Sequence, residues 1–350
     1  MRLHRTTLMR PWRRVAAIAS ATALGVGLLA GCGGSDSSDK KSDDAAPAAA
    51  GNFPVTVEHA FGSTKISKAP KRVVTVGYTD DQAVLAFGVK PVGMTDQYPN
   101  PSGKSPDINT QWPWVKDKWG DTKPEVVMKN GDTGPNYEKI AALRPDLIIA
   151  VYSEIDKGGY EKLSKIAPTV GRTKAEKEPF SAPWQDNAVH IGKALGQEAK
   201  GKKLVQGIQA KLDKAKKDHP EFAKQTAVPL SWYKDSIAPF TTTDVRGRLV
   251  TGIGFKGQKK IDEVADGKFF TVLSPERIDL VDVDHLFVIN DKADQEALKK
   301  FKLFTNLKAV KKGNVSYLLD SEGPAVGAAM SQGTLLSLPY AIDELVKSVD

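Results

Sequence analysis

The sequence contains a single cysteine, Cys32, among its 350 residues. One cysteine cannot close a disulfide within the chain, and it cannot build a zinc site from several thiolates. If Cys32 is itself modified, as argued below from its position, no thiol remains for nucleophilic catalysis. The folded chain must therefore depend on a hydrophobic core rather than on covalent cross-links.

Short motifs of common enzymes are also missing. The sequence has no Gly-x-Ser-x-Gly elbow, no His-Glu-x-x-His pair and no phosphate-binding loop. Gly252-Ile253-Gly254 lacks the third glycine and the preceding strand of a dinucleotide-binding fingerprint. We therefore predict that the protein is not an enzyme, and we keep a cell-surface enzyme only as a distant alternative.

Histidine is scarce, and its positions do not indicate a metal site. Beyond residue 31 the four histidines are dispersed, without the paired spacing of metal ligands: His59, His190, His219 and His285. Packed or solvated side chains explain them better. We therefore predict no metal bound by the protein itself and no intrinsic cofactor.

Positive charge is in excess, but the excess is concentrated at the N terminus. The formal net charge is +8, and five arginines lie within residues 1–31, which contain no acidic residue. The remaining chain carries 45 basic and 42 acidic side chains. This near balance gives no general electrostatic reason for binding nucleic acid.

The N-terminal arginines precede an apolar stretch at 15–29, which is followed by small residues and Cys32. This stretch is shorter than the ~20 residues of a membrane-spanning helix, and the arrangement is typical of a signal peptide. Leu29-Ala30-Gly31-Cys32 resembles a bacterial lipobox. The resemblance implies that residues 1–31 are removed and that acylated Cys32 anchors the protein to the cell membrane, on the extracytoplasmic face. Residues 32–52 then form the lipidated cysteine and a flexible tether.

Apolar strands alternate with helical segments in the rest of the chain. Short apolar runs are typical of buried strands at 72–77, 147–152, 228–233, 286–289 and 315–318. The chain from Cys32 onward is longer than one core usually holds, so we predict two lobes. The predicted fold is α/β, with mainly parallel sheets flanked by helices in lobes at 53–183 and 221–350. One long α-helix over 184–220, where apolar residues recur at helical spacing, is predicted to join them. The alternative is a break or bend in this helix at one of its glycines, which are Gly192, Gly196, Gly201 and Gly207.

A short pattern occurs once in each predicted lobe. Glu138 is followed eight positions later by Asp146, and Glu276 is followed at the same offset by Asp284. Each pattern precedes an apolar strand and begins beside a residue suited to cap a helix. We interpret the pattern as one strand-helix-strand unit repeated in both lobes.

Several stretches together resemble the iron-siderophore branch of the periplasmic-type substrate-binding proteins that feed ABC importers. They are the lipobox, Ala69-Pro70-Lys71-Arg72-Val73-Val74, the run at 138–149, Ile166-Ala167-Pro168-Thr169-Val170, and Trp184 with Ile191-Gly192-Lys193-Ala194-Leu195-Gly196. The resemblance implies two α/β lobes joined by a rigid helix, with the ligand between them and little movement on binding. It also implies delivery of a ferric siderophore to a permease dimer, and we expect the receptor to be a monomer.

The same resemblance assigns a docking role to two glutamates. In this family a glutamate on each lobe docks to arginines of the two permease subunits, and Glu138 and Glu276 occupy the matching motif positions. A simpler explanation is also available. A carboxylate in a first helical turn is stabilised by the helix dipole alone, by about 0.3–1 kcal/mol.

A ferric siderophore brings iron whose coordination shell is already filled, so its receptor needs aromatic walls and hydrogen-bond donors instead of metal ligands. Tyr78 and Tyr152 follow apolar strands, at the carboxyl ends where clefts of α/β sheets form. The predicted ligand-binding set is Tyr78, Tyr98, Trp112, Trp114, Tyr152, Trp232, Tyr233, Arg246 and Arg248. The alternatives are that the tryptophans of the loop at 97–120 form a satellite core and that the two arginines belong to a solvated turn.

The candidate residues point to two different siderophore classes. Two arginines suit anionic catecholates, whereas the tyrosines and tryptophans suit neutral or cationic hydroxamate chelates. The Ala-rich composition of a lipoprotein of Gram-positive type leads us to favour hydroxamates of the ferrioxamine kind. A haem- or cobalamin-binding receptor of the same fold is the nearest alternative, because Tyr or His can ligate a haem iron.

Overall fold

A computed structural model of the protein describes residues 51–98, 108–176 and 179–349. The predicted signal peptide, the lipidation site at Cys32 and nearly all of the predicted tether lie outside these residues and stay predictions. The strands are β1 (Val55–His59), β2 (Gly62–Ile66), β3 (Val73–Thr75), β4 (Gly93–Asp96), β5 (Glu125–Lys129), β6 (Leu147–Ala150), β7 (Thr169–Gly171), β8 (Ala227–Tyr233), β9 (Ser236–Pro239), β10 (His285–Ile289) and β11 (Val315–Leu318).

Helices cover the two larger of the three sheets that the described strands form. They are α1 (Asp80–Ala86), α2 (Ile108–Gln111), α3 (Lys116–Trp119), α4 (Tyr137–Ala142), α5 (Lys157–Ser164), α6 (Trp184–Ala194), α7 (Glu198–Asp218), α8 (Val245–Gly252), α9 (Lys259–Ala265), α10 (Lys292–Lys300), α11 (Lys302–Thr305), α12 (Lys308–Lys312), α13 (Val326–Gln332) and α14 (Ser337–Lys347). Two 3-10 helices lie at Pro220–Lys224 and Pro275–Val281. No helix in the described parts of the chain combines the length and the apolar character needed to cross a membrane.

The N-terminal lobe is built on a parallel five-stranded sheet in the order β5-β4-β3-β6-β7. β3 and β6 are neighbours, and all their residues are buried, as expected for parallel strands covered on both faces. The chain leaves β3 toward β4 on one side and later returns to β6 on the other. This reversal creates a crevice at the carboxyl ends of β3 and β6, where open α/β sheets bind ligands.

The C-terminal lobe has a four-stranded sheet in the order β11-β10-β8-β9. β8, β10 and β11 are parallel, and β9 is antiparallel to β8. Lys234 and Asp235, between β8 and β9, have φ angles of 49° and 57°, which is the conformation of a tight hairpin turn. The two sheets confirm the predicted α/β fold of two lobes with mainly parallel strands.

The pattern repeated in the sequence has a counterpart in the structure. The Asp146 carboxylate accepts the backbone N–H groups of Lys71 and Arg72, both at 2.8 Å, immediately before β3. Asp284 accepts the Thr226 N–H at 3.0 Å, immediately before β8. In each lobe an aspartate that precedes one strand therefore fixes the start of the parallel strand beside it.

The predicted single helix over 184–220 is wrong, because two helices occupy this region. Gly196 ends α6 with a left-handed φ of 68°, a conformation that glycine adopts without strain. A Cβ on Gly201 would lie 3.4 Å from the Ala188 carbonyl oxygen, so α7 turns back and packs closely on α6. Only α7, with 21 residues and a length of about 31 Å, connects the two lobes.

The lobes share one contiguous apolar core. It contains Val73 and Leu147 from the N-terminal sheet together with Phe287 and Leu345 from the C-terminal lobe. A smaller core lies on the other face of each sheet. Because separating the lobes would expose part of the shared core, we expect their relative position to change little.

Candidate functional site

A cavity of about 320 Å³ lies between the lobes, at the carboxyl ends of the N-terminal strands. Four wall residues follow successive strands closely: Tyr78 after β3, Tyr98 after β4, Asn130 after β5 and Tyr152 after β6. The C-terminal lobe contributes residues from the start of α8 and from α13. The complete wall is Tyr78, Gln97, Tyr98, Asn130, Tyr152, Glu154, Phe180, Asp244, Arg246, Phe269 and Ser331.

Hydrogen bonds between the ends of β3 and β6 fix two of the tyrosines. The Tyr78 N–H donates to the Tyr152 carbonyl oxygen at 2.9 Å. The Asp80 carboxylate, on α1, accepts the Val151 N–H at 2.8 Å and the Tyr152 N–H at 3.0 Å. Burial raises the pKa of Asp80 to about 6, although these backbone bonds act in the opposite direction. A buried carboxyl group therefore holds the strand ends that carry the tyrosine rings.

Phe180 brings the rings of Tyr78 and Tyr152 into one cluster. Its ring centroid lies 5.8 Å from that of Tyr78 and 4.8 Å from that of Tyr152, with interplanar angles of 48° and 55°. Burial raises the pKa of the Tyr98 and Tyr152 hydroxyls, which therefore stay neutral at physiological pH. The N-terminal side of the cavity thus offers ring faces and uncharged hydroxyl groups.

Arg246, in the first turn of α8, is engaged by its own lobe. Its Nε donates to Asp244 Oδ1 at 2.7 Å, and its Nη2 donates to Asp244 Oδ2 at 3.0 Å. The guanidinium carbon lies 3.5 Å from the centroid of the Phe240 ring. Asp244 also caps α8, because its Oδ1 accepts the Arg246 N–H at 2.9 Å. The positive charge at the cavity is therefore matched by an adjacent carboxylate.

Carboxylates around the cavity outnumber cations. Glu154 accepts a hydrogen bond from the Tyr78 hydroxyl at 3.3 Å, and none of the ion pairs formed between described residues includes it. Asp320 lies close enough to interact electrostatically with Arg246, and burial raises the pKa of Asp320 to about 6. The wall itself carries Glu154, Asp244 and Arg246, which gives a net negative charge at neutral pH.

A smaller cavity of about 40 Å³ shares Tyr152 and Phe180 with the main one. Arg248 lines this smaller cavity, and its Nη2 lies 3.5 Å from the Ser181 carbonyl oxygen. Arg248, one of the nine predicted ligand-binding residues, thus lines the neighbouring cavity and not the main one. Four line the main cavity: Tyr78, Tyr98, Tyr152 and Arg246.

Trp112 and Trp114 are buried, with 4% and 9% of their surface exposed. Their rings stack at 4.9 Å, and Trp114 Nε1 donates to Gln82 Oε1 at 2.9 Å. The edge of Trp112 packs on Tyr98 at 5.2 Å. The structure therefore places these two rings in the core, where they support the wall residue Tyr98 from the interior, and their predicted contact with a ligand stays a prediction.

Trp232 and Tyr233 also lie outside the cavity wall. Trp232 packs against Phe301 at 5.1 Å in the C-terminal core. Tyr233 is 43% exposed and contacts the Phe270 ring at 6.0 Å. One ring at the end of β8 therefore packs on the core of its own lobe and the other lies at the surface, and their predicted contact with a ligand stays a prediction.

Several wall residues were not predicted. Three of them could have been found by the position that identified Tyr78, at the carboxyl end of a strand of the parallel sheet. They are Gln97, Asn130 and Glu154. Asp244 carried another signal, because it precedes α8 as a capping residue. The remaining unpredicted residues, which include Phe180 and Phe269, lie where no local periodicity marks them.

Two buried histidines, His59 and His285, form hydrogen bonds within the fold. His59 bonds to Thr64 at 3.0 Å, and His285 bonds to Ser316 at 2.9 Å. Burial lowers the pKa of both rings to about 4, so they are neutral at physiological pH. Within 51–98, 108–176 and 179–349, no group of three or more His, Cys, Asp or Glu side chains is arranged to hold a metal ion.

Glu138 and Glu276 are both exposed. Glu138 lies in the first turn of α4, which Asn136 caps by accepting the Lys139 N–H at 2.9 Å. Glu276 lies in the first turn of the 3-10 helix Pro275–Val281. Both side chains are accessible to a partner, and their docking role stays a prediction.

Known proteins resemble this chain over most of its length. A probable siderophore-binding lipoprotein of Bacillus subtilis is 29% identical over 298 residues, which cover 80% of this chain and 85% of the relative. PiaA of Streptococcus pneumoniae, solved in complex with ferrichrome, superimposes with a TM-score of 0.67 at 26% identity, covering 84% of this chain and 97% of PiaA.

A second solved structure is equally close. SirA of Staphylococcus aureus, complexed with staphyloferrin B, gives a TM-score of 0.67 at 28% identity, covering 84% of this chain and 97% of SirA. Residues 73–322, well over half of the chain, match the family described as periplasmic binding protein. Together with the two-lobed fold and its interlobe cavity, this match shows that the chain belongs to the periplasmic binding protein family.

Proposed function

We propose that this protein is a lipid-anchored receptor outside the cytoplasm, which binds a ferric hydroxamate siderophore between its lobes and delivers it to the permease of an ABC importer. Siderophore binding is supported by the names of the relatives and by the chemistry of the cavity. Rings and hydroxyls line it, as suits a chelate whose iron needs no protein ligand. Anchoring through Cys32 is supported by the lipobox and by the description of the Bacillus relative as a lipoprotein.

The choice of hydroxamate depends on one observation, the ion pair between Arg246 and Asp244. An arginine bonded at both Nε and Nη2 to a neighbouring carboxylate is a poor receptor for a multiply charged catecholate chelate. With Glu154 added, the wall favours a neutral or positively charged complex. PiaA holds ferrichrome and SirA holds staphyloferrin B, so the relatives leave the ligand class open and the charges of this cavity decide our choice.

Delivery to a permease is proposed for the exposed pair Glu138 and Glu276. The aspartates that follow them at the same offset perform the same task in each lobe, so the two glutamates occupy related positions. Two related carboxylates on two lobes suit a permease built from two related subunits.

Titration of the chain from residue 33 onward with four ligand classes tests the binding proposal. The ligands are a ferric trihydroxamate, a ferric tricatecholate, haem and cobalamin. Calorimetry is run in parallel with tryptophan fluorescence corrected for ligand absorption. We expect saturable submicromolar binding of the hydroxamate and binding at least tenfold weaker for the catecholate. Preference for the catecholate contradicts the hydroxamate assignment, and absence of binding to all four contradicts the receptor function.

A further inference from the structure

The charged residues described on the cavity wall are two carboxylates and one guanidinium group, and the excess negative charge lies at Glu154. Arg246 and Asp244 neutralise each other through two hydrogen bonds of 2.7 and 3.0 Å. Glu154 remains, with the hydroxyl of Tyr78 as its hydrogen-bond donor at 3.3 Å. A carboxylate on a cavity wall without a basic partner attracts a cation from the ligand side.

Aromatic rings lie on the same side of the cavity as this carboxylate. Phe180 stands between Tyr78 and Tyr152, tilted by 48° to one ring and 55° to the other. All three rings line the cavity and adjoin through Phe180, and we call this group of rings the ring corner. Ring faces attract an ammonium group, and such corners are a known way to bind one. The donor to Glu154 is the hydroxyl of one of these same rings, so the carboxylate and the ring corner adjoin.

The backbone at the centre of the ring cluster is strained. Phe180 has a φ of 68°, in the left-handed region that non-glycine residues rarely occupy. Such a conformation is energetically unfavourable for a residue with a side chain, and it occurs often at functional sites. Here it places the ring that contacts both tyrosines.

We infer that Glu154 and the ring corner of Tyr78, Tyr152 and Phe180 form a subsite for a protonated amine carried by the ferric chelate. This inference rests on the proposed function and narrows the ligand class to ferric trihydroxamates with a free ammonium group. Glu154 acts as the specificity-determining residue, because its carboxylate pairs with the ammonium group of the ligand. The rings contact the ligand's CH₂ groups and stabilise the positive charge of its ammonium group. A chelate without the amine still enters the cavity but leaves this subsite empty.

Two ligands that differ only at the amine test this subsite. Ferrioxamine B carries a protonated amine and a net charge of +1, and its N-acetyl derivative is neutral. We expect the wild-type chain to bind the amine form about tenfold more tightly than the acetyl form at low ionic strength, which corresponds to about 1.4 kcal/mol. In Glu154→Gln the two affinities are expected to become equal, because the affinity for the amine form falls about tenfold further than that for the acetyl form.

Two further variants separate the subsite from general effects. Phe180→Leu is expected to lower the preference for the amine about threefold, because it removes one ring face. Glu161→Gln, at an exposed position on α5, removes one negative charge elsewhere in the same lobe and is expected to keep the tenfold preference. Circular dichroism and thermal unfolding verify that each variant is folded.

The outcomes of this experiment are distinguishable. Equal wild-type affinities for the two ligands, or equal losses of both in Glu154→Gln, overturn the subsite and leave the receptor function intact. Failure of both ligands to bind at micromolar concentration overturns the hydroxamate assignment itself. A loss of preference in Glu161→Gln as large as that in Glu154→Gln also overturns the subsite, because the preference then reflects net charge alone.

Discussion

Two groups of buried charged residues in this protein have their charge balanced or suppressed. Arg246 lies over Phe240 and is paired with Asp244, of which only 9% is exposed. Asp80 and Asp81 lie side by side at the start of α1, and both are buried. In the first case an ion pair offsets the cost of burial, and in the second the protonated form is favoured. Removal of the carboxylate should therefore expose an unpaired cation at Arg246 in the first case and relieve the cost of a buried negative charge in the second.

Asp244→Asn is expected to shift ligand preference toward anionic chelates. Asparagine keeps an oxygen that can cap α8, but the guanidinium of Arg246 loses its counter-charge and becomes available to the ligand. We expect affinity for a ferric tricatecholate to rise by tenfold or more, with less change for a neutral hydroxamate. Calorimetric titration of both ligands measures this, and a parallel rise for both ligands contradicts the charge argument.

Asp81→Asn is expected to stabilise the fold at high pH. Burial first, and the charge of Asp80 second, raise the pKa of Asp81 to about 8. The folded-state pKa of Asp81 lies above its ordinary value of 3.8. The contribution of the Asp81 carboxyl group to the free energy of unfolding is therefore complete below pH 3.8 and is lost as the pH rises through 8. The variant should exceed wild type in stability at pH 9, on the order of a few kcal/mol, and the difference should shrink as the pH falls and vanish only near about pH 4.

Urea unfolding at pH 5, 7 and 9 measures this difference. Asp213→Asn, on the exposed face of α7, is the matched control and should leave the pH profile of wild type unchanged. A pH profile of Asp81→Asn that parallels that of wild type contradicts the assignment.

Among the elements, the helix pair α6 and α7 contains glycine at two kinds of position. Gly196 allows the chain to reverse between α6 and α7, and Asn52 donates to its carbonyl at 3.0 Å. Gly207 lies inside α7 with an ordinary helical conformation and open space around it. The same substitution should therefore have opposite effects at the two sites.

Gly196→Ala is expected to destabilise the protein by about 1–3 kcal/mol. The new methyl group would meet the Phe53 ring at 2.6 Å, and a non-glycine residue in the left-handed region adds strain. Gly207→Ala is expected to stabilise it by about 0.5–1 kcal/mol, because alanine loses less entropy in a helix. Urea unfolding of both variants gives the two signs, and a destabilising Gly207→Ala contradicts this explanation.

At the scale of the whole molecule, a buried polar network joins the lobes beside their shared core. Gln82 of α1 donates to Gln332 of α13 at 2.8 Å and accepts from Trp114 and Thr334 at 2.9 and 3.1 Å. Gln332 also donates to Gln97, which lies on the cavity wall. The network therefore connects the cavity with the contact between the lobes.

Gln332→Leu is expected to lower the free energy of unfolding by about 1–3 kcal/mol, because the amide group of Gln82 loses its buried acceptor. It should also weaken ligand binding, since Gln97 loses its donor. Gln209→Leu, which removes an exposed bond to Asp213, serves as control and should change stability by less than about 0.5 kcal/mol. Equal effects of the two substitutions contradict a role for the network.

The proposed permease docking involves both lobes and is tested by charge reversal. Glu138→Arg and Glu276→Arg are expected to reduce uptake of a radiolabelled ferric chelate into cells at least tenfold, with ligand affinity unchanged, because each places a positive charge against permease arginines. Glu161→Arg, at an exposed position of α5, should leave uptake unchanged. Uptake by the two variants at the wild-type rate would remove the docking assignment.

Sequence reasoning located part of the cavity because that part follows from local pattern. Tyr78 and Tyr152 were found since buried apolar runs predict β3 and β6, and parallel strands end at one edge. The core position of Trp112 and Trp114 was not predicted, because Trp114 bonds to Gln82, an acceptor contributed by another element, and Trp112 stacks on Trp114. Phe180 was missed because its importance comes from a ring cluster and a backbone angle, neither of which has a periodic signal.

The sequence by itself determined the alternation of strands and helices, the division into two lobes and the strand ends at which a ligand could bind. Those features depend on residues a few positions apart, which share a strand or a helix face. Only the tertiary structure decided which rings form the wall, that Asp244 neutralises Arg246, and that Glu154 remains as the unbalanced charge. Burial and pairing depend on side chains from distant parts of the chain, as when Gln82 bonds to Gln332 across 250 positions.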